Sequence, residues 1–455
     1  MRSATYLAAI WAMAVALFAA LASAQPLTPR VSFEGPSLEF DLAGVEIGVA
    51  DYEDGPTGAT VLYFSKPVKA AVDVRGGAPG TVNTDVLRLA YDEPIVHAIA
   101  LSGGSAYGLS VATGVANAIK ERTADARSWQ NVAVVPGAII FDLGGRRYNT
   151  ITPDDRLGRA ALGSARPGWC PLGARGAGRF AMQGGYFGRA QHSGQGAAFR
   201  QAGDAKVLVV TVVNAAGTIV DRNGHVLRCA HPVDGDCGEI TRWLDEHLAK
   251  SRPESGKPDL EHKAGPTANT TITVVVTNQA LPFSALQRLA VQVHNSMARA
   301  IQPFGTEVDG DTLFAVTTGE IKGSLNHIEL GVLASETAWD AIIASAPVLP
   351  ETPPRSTVEL SPAALDGIAG RYEFAPGIVA QLRRNGAGLE IVVTGGDSEY
   401  LKAQQAVALT AVATDEFELA GARADRLHID RDARGRISGI ILNPGPWPVS
   451  ARRMR

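Results

Sequence analysis

One junction in this 455-residue chain carries residues able to act on their own backbone: Asn269-Thr270. Gly265-Pro266-Thr267-Ala268 leads into it, and Thr271 to Thr277 is a β-branched, apolar run with strand character. A residue where a loop enters a buried strand is held rigidly while its peptide bond stays accessible. A threonine there can turn its hydroxyl on the preceding carbonyl. Cleavage would leave Thr270 as a new N-terminus, with hydroxyl nucleophile and α-amine on one residue. That amine, with an ordinary pKa of about 7.7–8, is a general base near neutral pH. The same residues also read as a plain strand start, with Asn and Thr satisfying turn hydrogen bonds. Asn269-Thr270-Thr271 matches a glycosylation sequon as well.

Such chemistry needs an oxyanion donor and groups that handle protons. Asn214 stands at the end of the near-continuous apolar run Val207–Val213. It can cap a turn, or give its amide N–H to a developing oxyanion. Asp309 and Asp311 flank Gly310 ahead of an apolar run. Two carboxylates so spaced can bind a cation, hold an α-ammonium or orient a nucleophile. No further ligand pattern follows them, so neither a metal nor another cofactor is expected. Ser105 lies in a strand–turn–helix stretch, but Tyr107 stands where G-x-S-x-G needs its second glycine. That rules against a serine hydrolase elbow and leaves the turn, with Tyr107, as a wall of a substrate site. The Gly-rich stretch 174–204 does not fit a phosphate cradle between strand and helix.

Several elements must hold these residues. Strands are expected over Val45–Val49, Thr60–Phe64, Val96–Leu101 and Val207–Val213, with a strand pair across Val132–Gly144. Helical spacing marks Ser110–Arg122, Glu239–Leu248, Ser284–Ile301 and Ile328–Ser345. Ser251–Pro258 reads as an exposed, mobile loop just upstream of Asn269. The Pro-rich stretch 346–356 is a linker, and residues 357–455 carry short strands at regular intervals, the pattern of a small all-β barrel or sandwich.

Net charge of −4 and the absence of any basic run argue against nucleic acid as a partner. Residues 1–24 read as a signal peptide: Arg2, the apolar run Ala8–Leu21, then Ala22-Ser23-Ala24. A periplasmic or secreted protein is expected, with no membrane association once the signal is removed. In an oxidising compartment Cys229 and Cys237, eight residues apart, can form a local disulfide, leaving Cys170 as a buried thiol.

Taken together, an ordered set of segments resembles a known family. The segments are Val45-Glu46-Ile47-Gly48, Gly103 to Leu109, Val135-Pro136-Gly137 through Gly144, Val213 to Gly217, Asn269-Thr270-Thr271-Ile272 and Asp309 to Gly319. They resemble the P1 family of self-processing peptidases, the L-aminopeptidase/D-esterase and β-peptidyl aminopeptidase group. The resemblance implies an α/β fold over residues 25–345, an αββα sandwich akin to the N-terminal-nucleophile hydrolases. It implies cleavage between Asn269 and Thr270, and a homo-oligomer of cleaved two-chain protomers. Thr270 then matches the nucleophile, Asn214 the oxyanion donor, and Asp309 and Asp311 a pair that is Ser and Glu in some members. Phe141 stands where some members have a Tyr lining the site, so at most it forms a pocket wall. Gly305 precedes Thr306 where others have a His. The implied substrates are small peptides, amides or esters. A non-catalytic periplasmic ligand carrier on the same scaffold is the alternative. The tail resembles the small β-domain appended to some β-lactamase-like serine hydrolases, through Leu360-Ser361-Pro362, Ile368 to Glu373 and Ala375-Pro376-Gly377.

Overall fold

The computed structural model describes residues 27–454 apart from 90–93, 124–126, 147–149, 230–235, 251–268, 347–355, 399, 422–425 and 446. The expected signal peptide, the Ser251–Pro258 loop and most of the 346–356 linker lie outside the described residues.

A ten-stranded sheet dominates the first part of the chain. Its principal strands are β1 (Val45–Tyr52), β2 (Thr57–Val74), β3 (Ile95–Ser102), β4 (Gln195–Ala202), β5 (Ala205–Asn214), β6 (Thr270–Gln279) and β7 (Thr312–Ile321). The order is β4-β5-β6-β7-β2-β3, with β1 also on β2. All neighbours in that path are antiparallel except β6 and β7. β2 is 18 residues long and serves two neighbourhoods. Residues 57–64 pair with β1, and residues 69–74 pair with β7. Between them the register with β3 shifts from Tyr63 to Val68. The sheet thus folds over at β2 into two facing layers.

Side-chain alternation confirms the layering. Leu62, Phe64, Val68, Ala70 and Val72 of β2 meet Leu208, Val210 and Val212 of β5, Ile272, Val274 and Val276 of β6, and Phe314 and Val316 of β7 in one central core. The intervening residues point outward. On one side Val207, Val209, Val275, Leu313 and Ala315 pack against helices Phe283–Ser296 and His327–Ala344. On the other, Ala59, Val61, Ala98 and Ala100 pack against helices Ser110–Arg122 and Asp155–Gly163. Helices, sheet, sheet, helices is the αββα sandwich.

Local chemistry sets the helix ends. Asn326 caps His327–Ala344, accepting from Ile328 N and Glu329 N while Glu329 reaches back to the Asn326 N–H. Asp154 caps Asp155–Gly163 by accepting from Leu157 N at 2.9 Å. The helix expected over Ser284–Ile301 stops at Ser296 and passes into a single 3-10 turn, Met297–Arg299. The expected strand pair over Val132–Gly144 reduces to one short strand, Gly137–Ile139, and a helical turn, Leu143–Arg146. Before that strand, Pro136 has no N–H to give, and the Val134 N–H goes to His97 Nδ1 instead of a ladder partner.

The chain ends in a closed barrel of eight antiparallel strands, Gly370 to Arg453, preceded by helix Pro362–Ile368. Tyr372 and Glu373 pair with Arg453 and Arg452 to close it. Tyr372, Phe374, Ile391, Phe417, Leu427 and Ile440 fill its interior. One of its strands, Ala406–Ala413, carries too little polar contrast to be read from sequence.

Candidate active site

Thr270 opens β6, between β5 and β7. Its even-numbered neighbours on β6 line the central core, so Thr270 ends that row at the rim of the two sheets, only 3% exposed. Its hydroxyl donates to the Asn269 carbonyl at 2.5 Å. The same carbonyl accepts the Gly310 N–H at 2.8 Å, and the Asn269 N–H goes to Val308 O at 3.2 Å. Asn269 is therefore held through both its N–H and its carbonyl, and the carbonyl of the Asn269–Thr270 peptide is polarised by a backbone donor and touched by the adjacent hydroxyl.

Gly310 reaches this position because it has no side chain. A Cβ there would lie 2.7 Å from Thr270 Oγ1 and 2.7 Å from Ala78 O. The end of β2 braces the same loop from behind. Arg75 N donates to Asp311 O at 3.0 Å and Ala78 N to Asp309 O at 2.8 Å.

Asn214, the last residue of β5, is the register partner of Thr270. Its Oδ1 accepts the Met182 N–H at 3.0 Å, and its Nδ2 donates to Phe141 O at 3.2 Å. A donor on one side and a carbonyl on the other fix which way the amide points. One Nδ2 hydrogen then remains for another acceptor.

Both acids are buried. Asp309 accepts from Ala216 N at 3.1 Å, from Thr306 N at 3.3 Å and from the Thr306 hydroxyl. Asp311 accepts from Thr271 N at 2.6 Å and from Gly305 N at 3.0 Å. Burial pushes Asp309 above the usual carboxylate range against these hydrogen bonds. Burial first, and the Asp309 charge second, push Asp311 up to about 7. Among the described residues neither acid forms an ion pair, so the site is electrostatically suited to a cation.

Of the other residues singled out by sequence, Phe141 is half-buried, and its backbone carbonyl holds Asn214. Tyr107 lies on the turn after β3 and is 58% exposed. That turn is tied down by Asp142, which accepts from Gly104 N at 2.9 Å and Thr57 Oγ1 at 2.7 Å and pairs with Arg146 at 3.2 Å. Cys229 and Cys237 form a disulfide with 5.8 Å between Cα atoms. Cys170 is buried, its thiol pushed up to about 12 by that burial. Sequence reasoning missed the Gly310 and Met182 N–H groups and the bond from the Thr306 hydroxyl to Asp309. The glycine between two aspartates was a visible signal for the first. A backbone N–H in a Gly-rich stretch leaves none for the second.

The sequence model of peptidase family S58 matches residues 40–351. The chain belongs to peptidase family S58. It is 42% identical over 329 residues to a 6-aminohexanoate-oligomer endohydrolase of Paenarthrobacter ureafaciens, covering 70% of this chain and 88% of the relative. An uncharacterized aminopeptidase of Mycobacterium tuberculosis is 36% identical, covering 58% and 74% of the two chains. Among solved structures, a Burkholderia beta-aminopeptidase is 20% identical, with a TM-score of 0.49 over 70% of this chain and 89% of its own. This S58 protein is thus an aminopeptidase- or amidase-type hydrolase, and its barrel lies beyond the matched span.

Proposed function

We propose that this S58 hydrolase cuts its own chain between Asn269 and Thr270 and then uses Thr270 as an N-terminal nucleophile on amides. One observation carries the reading: the Thr270 hydroxyl and the Gly310 N–H converge on the Asn269 carbonyl, at 2.5 and 2.8 Å. The hydroxyl loses its proton and attacks the carbonyl carbon, and Gly310 N–H stabilises the oxyanion. The C–N bond breaks, its nitrogen takes a proton, and an ester joins Asn269 to Thr270. Water hydrolyses that ester, leaving an Asn269 carboxylate and a Thr270 with free amine and hydroxyl.

In the cut protein the α-amine of Thr270 accepts the hydroxyl proton as the oxygen attacks a substrate amide. The free Nδ2 hydrogen of Asn214, on the strand partner of Thr270, serves the substrate oxyanion. Asp309 and Asp311 supply the negative field for an ammonium, either that of Thr270 or that of the substrate. The ammonium gives that proton to the leaving amine as the substrate C–N bond breaks, which leaves an acyl ester on Thr270. Water, deprotonated by the same amine, then attacks the ester, and the proton goes to the Thr270 oxygen as the acid departs.

Linear amides are the proposed substrates, a reading supported by the description of the 42% identical relative as an oligomer endohydrolase. Product analysis on an amide oligomer separates stepwise removal of N-terminal units from internal cuts. Export to an oxidising compartment is supported by the amino-terminal pattern and the bonded cysteine pair. Assembly of several cleaved pairs rests on the family resemblance.

Denaturing gels with N-terminal sequencing test the core of the proposal. Wild type yields a fragment beginning Thr-Thr-Ile, and Thr270→Ala yields a single chain without activity. A wild-type chain that stays whole on long incubation would favour the ligand-carrier reading.

A further inference from the structure

The barrel lies outside the family span, yet it rests on His192 and Ser193, each one contact away from Asn214 or its neighbour Val213. Trp447 is 2% exposed, and its indole N–H donates to Ser193 O at 3.0 Å. The indole stacks on His192, with centroids 5.1 Å apart and planes 13° off parallel. The Tyr400 hydroxyl fixes this arrangement, donating to Trp447 O at 2.8 Å and lying 3.2 Å from His192 Nε2.

From these contacts two short paths reach the site. His192 is the strand partner of Met182, whose N–H holds Asn214 Oδ1 at 3.0 Å. Ser193 donates its hydroxyl to Val213 O at 2.5 Å, on the residue immediately before Asn214. Ser193 therefore holds the peptide that leads into Asn214, and His192 reaches the Asn214 amide through Met182. A barrel serving only as an appendage has no reason to meet the peptidase unit there rather than on its outer helices.

We propose that Trp447 is a positioning residue: the barrel, through Trp447, His192 and Ser193, sets the orientation of the Asn214 amide. This rests on the reading of Asn214 as oxyanion donor. The relevant loss falls on transition-state stabilisation and leaves substrate binding alone, so it is a kcat effect.

The test uses the full-length chain with Trp447→Ala, Asn214→Ala and the double variant, assayed on an amino-acid p-nitroanilide. Turnover is expressed per cleaved chain. Trp447→Ala is expected to lower kcat about 10-fold or more with KM held within about twofold. In the Asn214→Ala background the same change is expected to cost nothing further, because its target is gone. A wild-type kcat in Trp447→Ala, or an equal loss in both backgrounds, overturns the proposal while leaving Asn214 in its role. A wild-type kcat in Asn214→Ala instead overturns the oxyanion reading itself, and this inference with it. If Trp447→Ala does not fold, Tyr400→Phe removes only the hydroxyl behind the indole. A kcat loss there, absent in the Asn214→Ala background, supports the proposal, and an unchanged kcat overturns it.

Discussion

Asn214 and Thr270 face each other across adjacent antiparallel strands, as the final pair of the β5–β6 register. The amide of Asn214 is oriented by a donor, Met182 N–H, and an acceptor, Phe141 O, which come from two separate segments. A strand end supplies the position and the loops supply the direction.

Loss of that amide is expected to cost turnover far more than stability. Oxyanion donors are worth about 10²–10³-fold in kcat. Asn214→Ala should show that loss with KM nearly unchanged, while circular dichroism reports an intact fold. Wild-type turnover in this variant would remove Asn214 from the mechanism.

Gly310→Ala tests the other donor. The added methyl meets Thr270 Oγ1 and Ala78 O, each at 2.7 Å, so the loop must withdraw from the Asn269 carbonyl. Self-cleavage, followed as appearance of the Thr-Thr-Ile fragment, should slow at least about 10-fold. Cleavage at the wild-type rate would show that the Gly310 N–H does not serve that carbonyl.

The buried acids predict a pH-dependent stability. A carboxyl raised from 3.8 to about 7 by burial, with Asp309 adding to the effect, binds its proton more tightly in the folded chain. Its stabilising contribution is complete below the unfolded value and is lost as pH rises through the folded one. In the uncut Thr270→Ala chain, Tm should therefore fall between about pH 4 and about pH 7 from this source. Adding Asp311→Asn should flatten that fall in a thermal melt series, and an unaltered slope would refute the assignment.

Asp309→Asn removes the charge that helps to raise Asp311. In the same uncut background, the Asp311 titration followed by carboxyl NMR should move to lower pH, although burial still holds it above 3.8. An unmoved titration would mean that the two carboxyls do not share a field.

Much of the sandwich was legible because it rests on alternation. The β5 and β6 runs are so uniformly apolar and β-branched that strand is the natural reading, and Asn214 and Thr270 stand at their ends. The segment before Gly137 misled because its valines carry strand propensity, while Pro136 and the His97 side chain divert the ladder. Phe141 was expected to be at most a pocket wall, but its carbonyl is what touches Asn214. Backbone groups do not declare themselves by residue type. Gly310 was visible only as a spacer between acids, and Met182 not at all. In the barrel, Ala406–Ala413 alternates between buried and exposed positions, yet alanine and threonine on the outer face give little contrast with the inner one.

The strand order holds one more consequence. β6 and β7, which follow residue 270, lie between β5 and β2, which precede it. A chain severed before Thr270 remains woven together by ladders on both flanks, so the halves stay associated without a covalent bond. Unravelling then separates two molecules where synthesis made one. Reassembly becomes a second-order encounter, slower on dilution, and a protein easily formed once from its precursor is hard to recover from its parts.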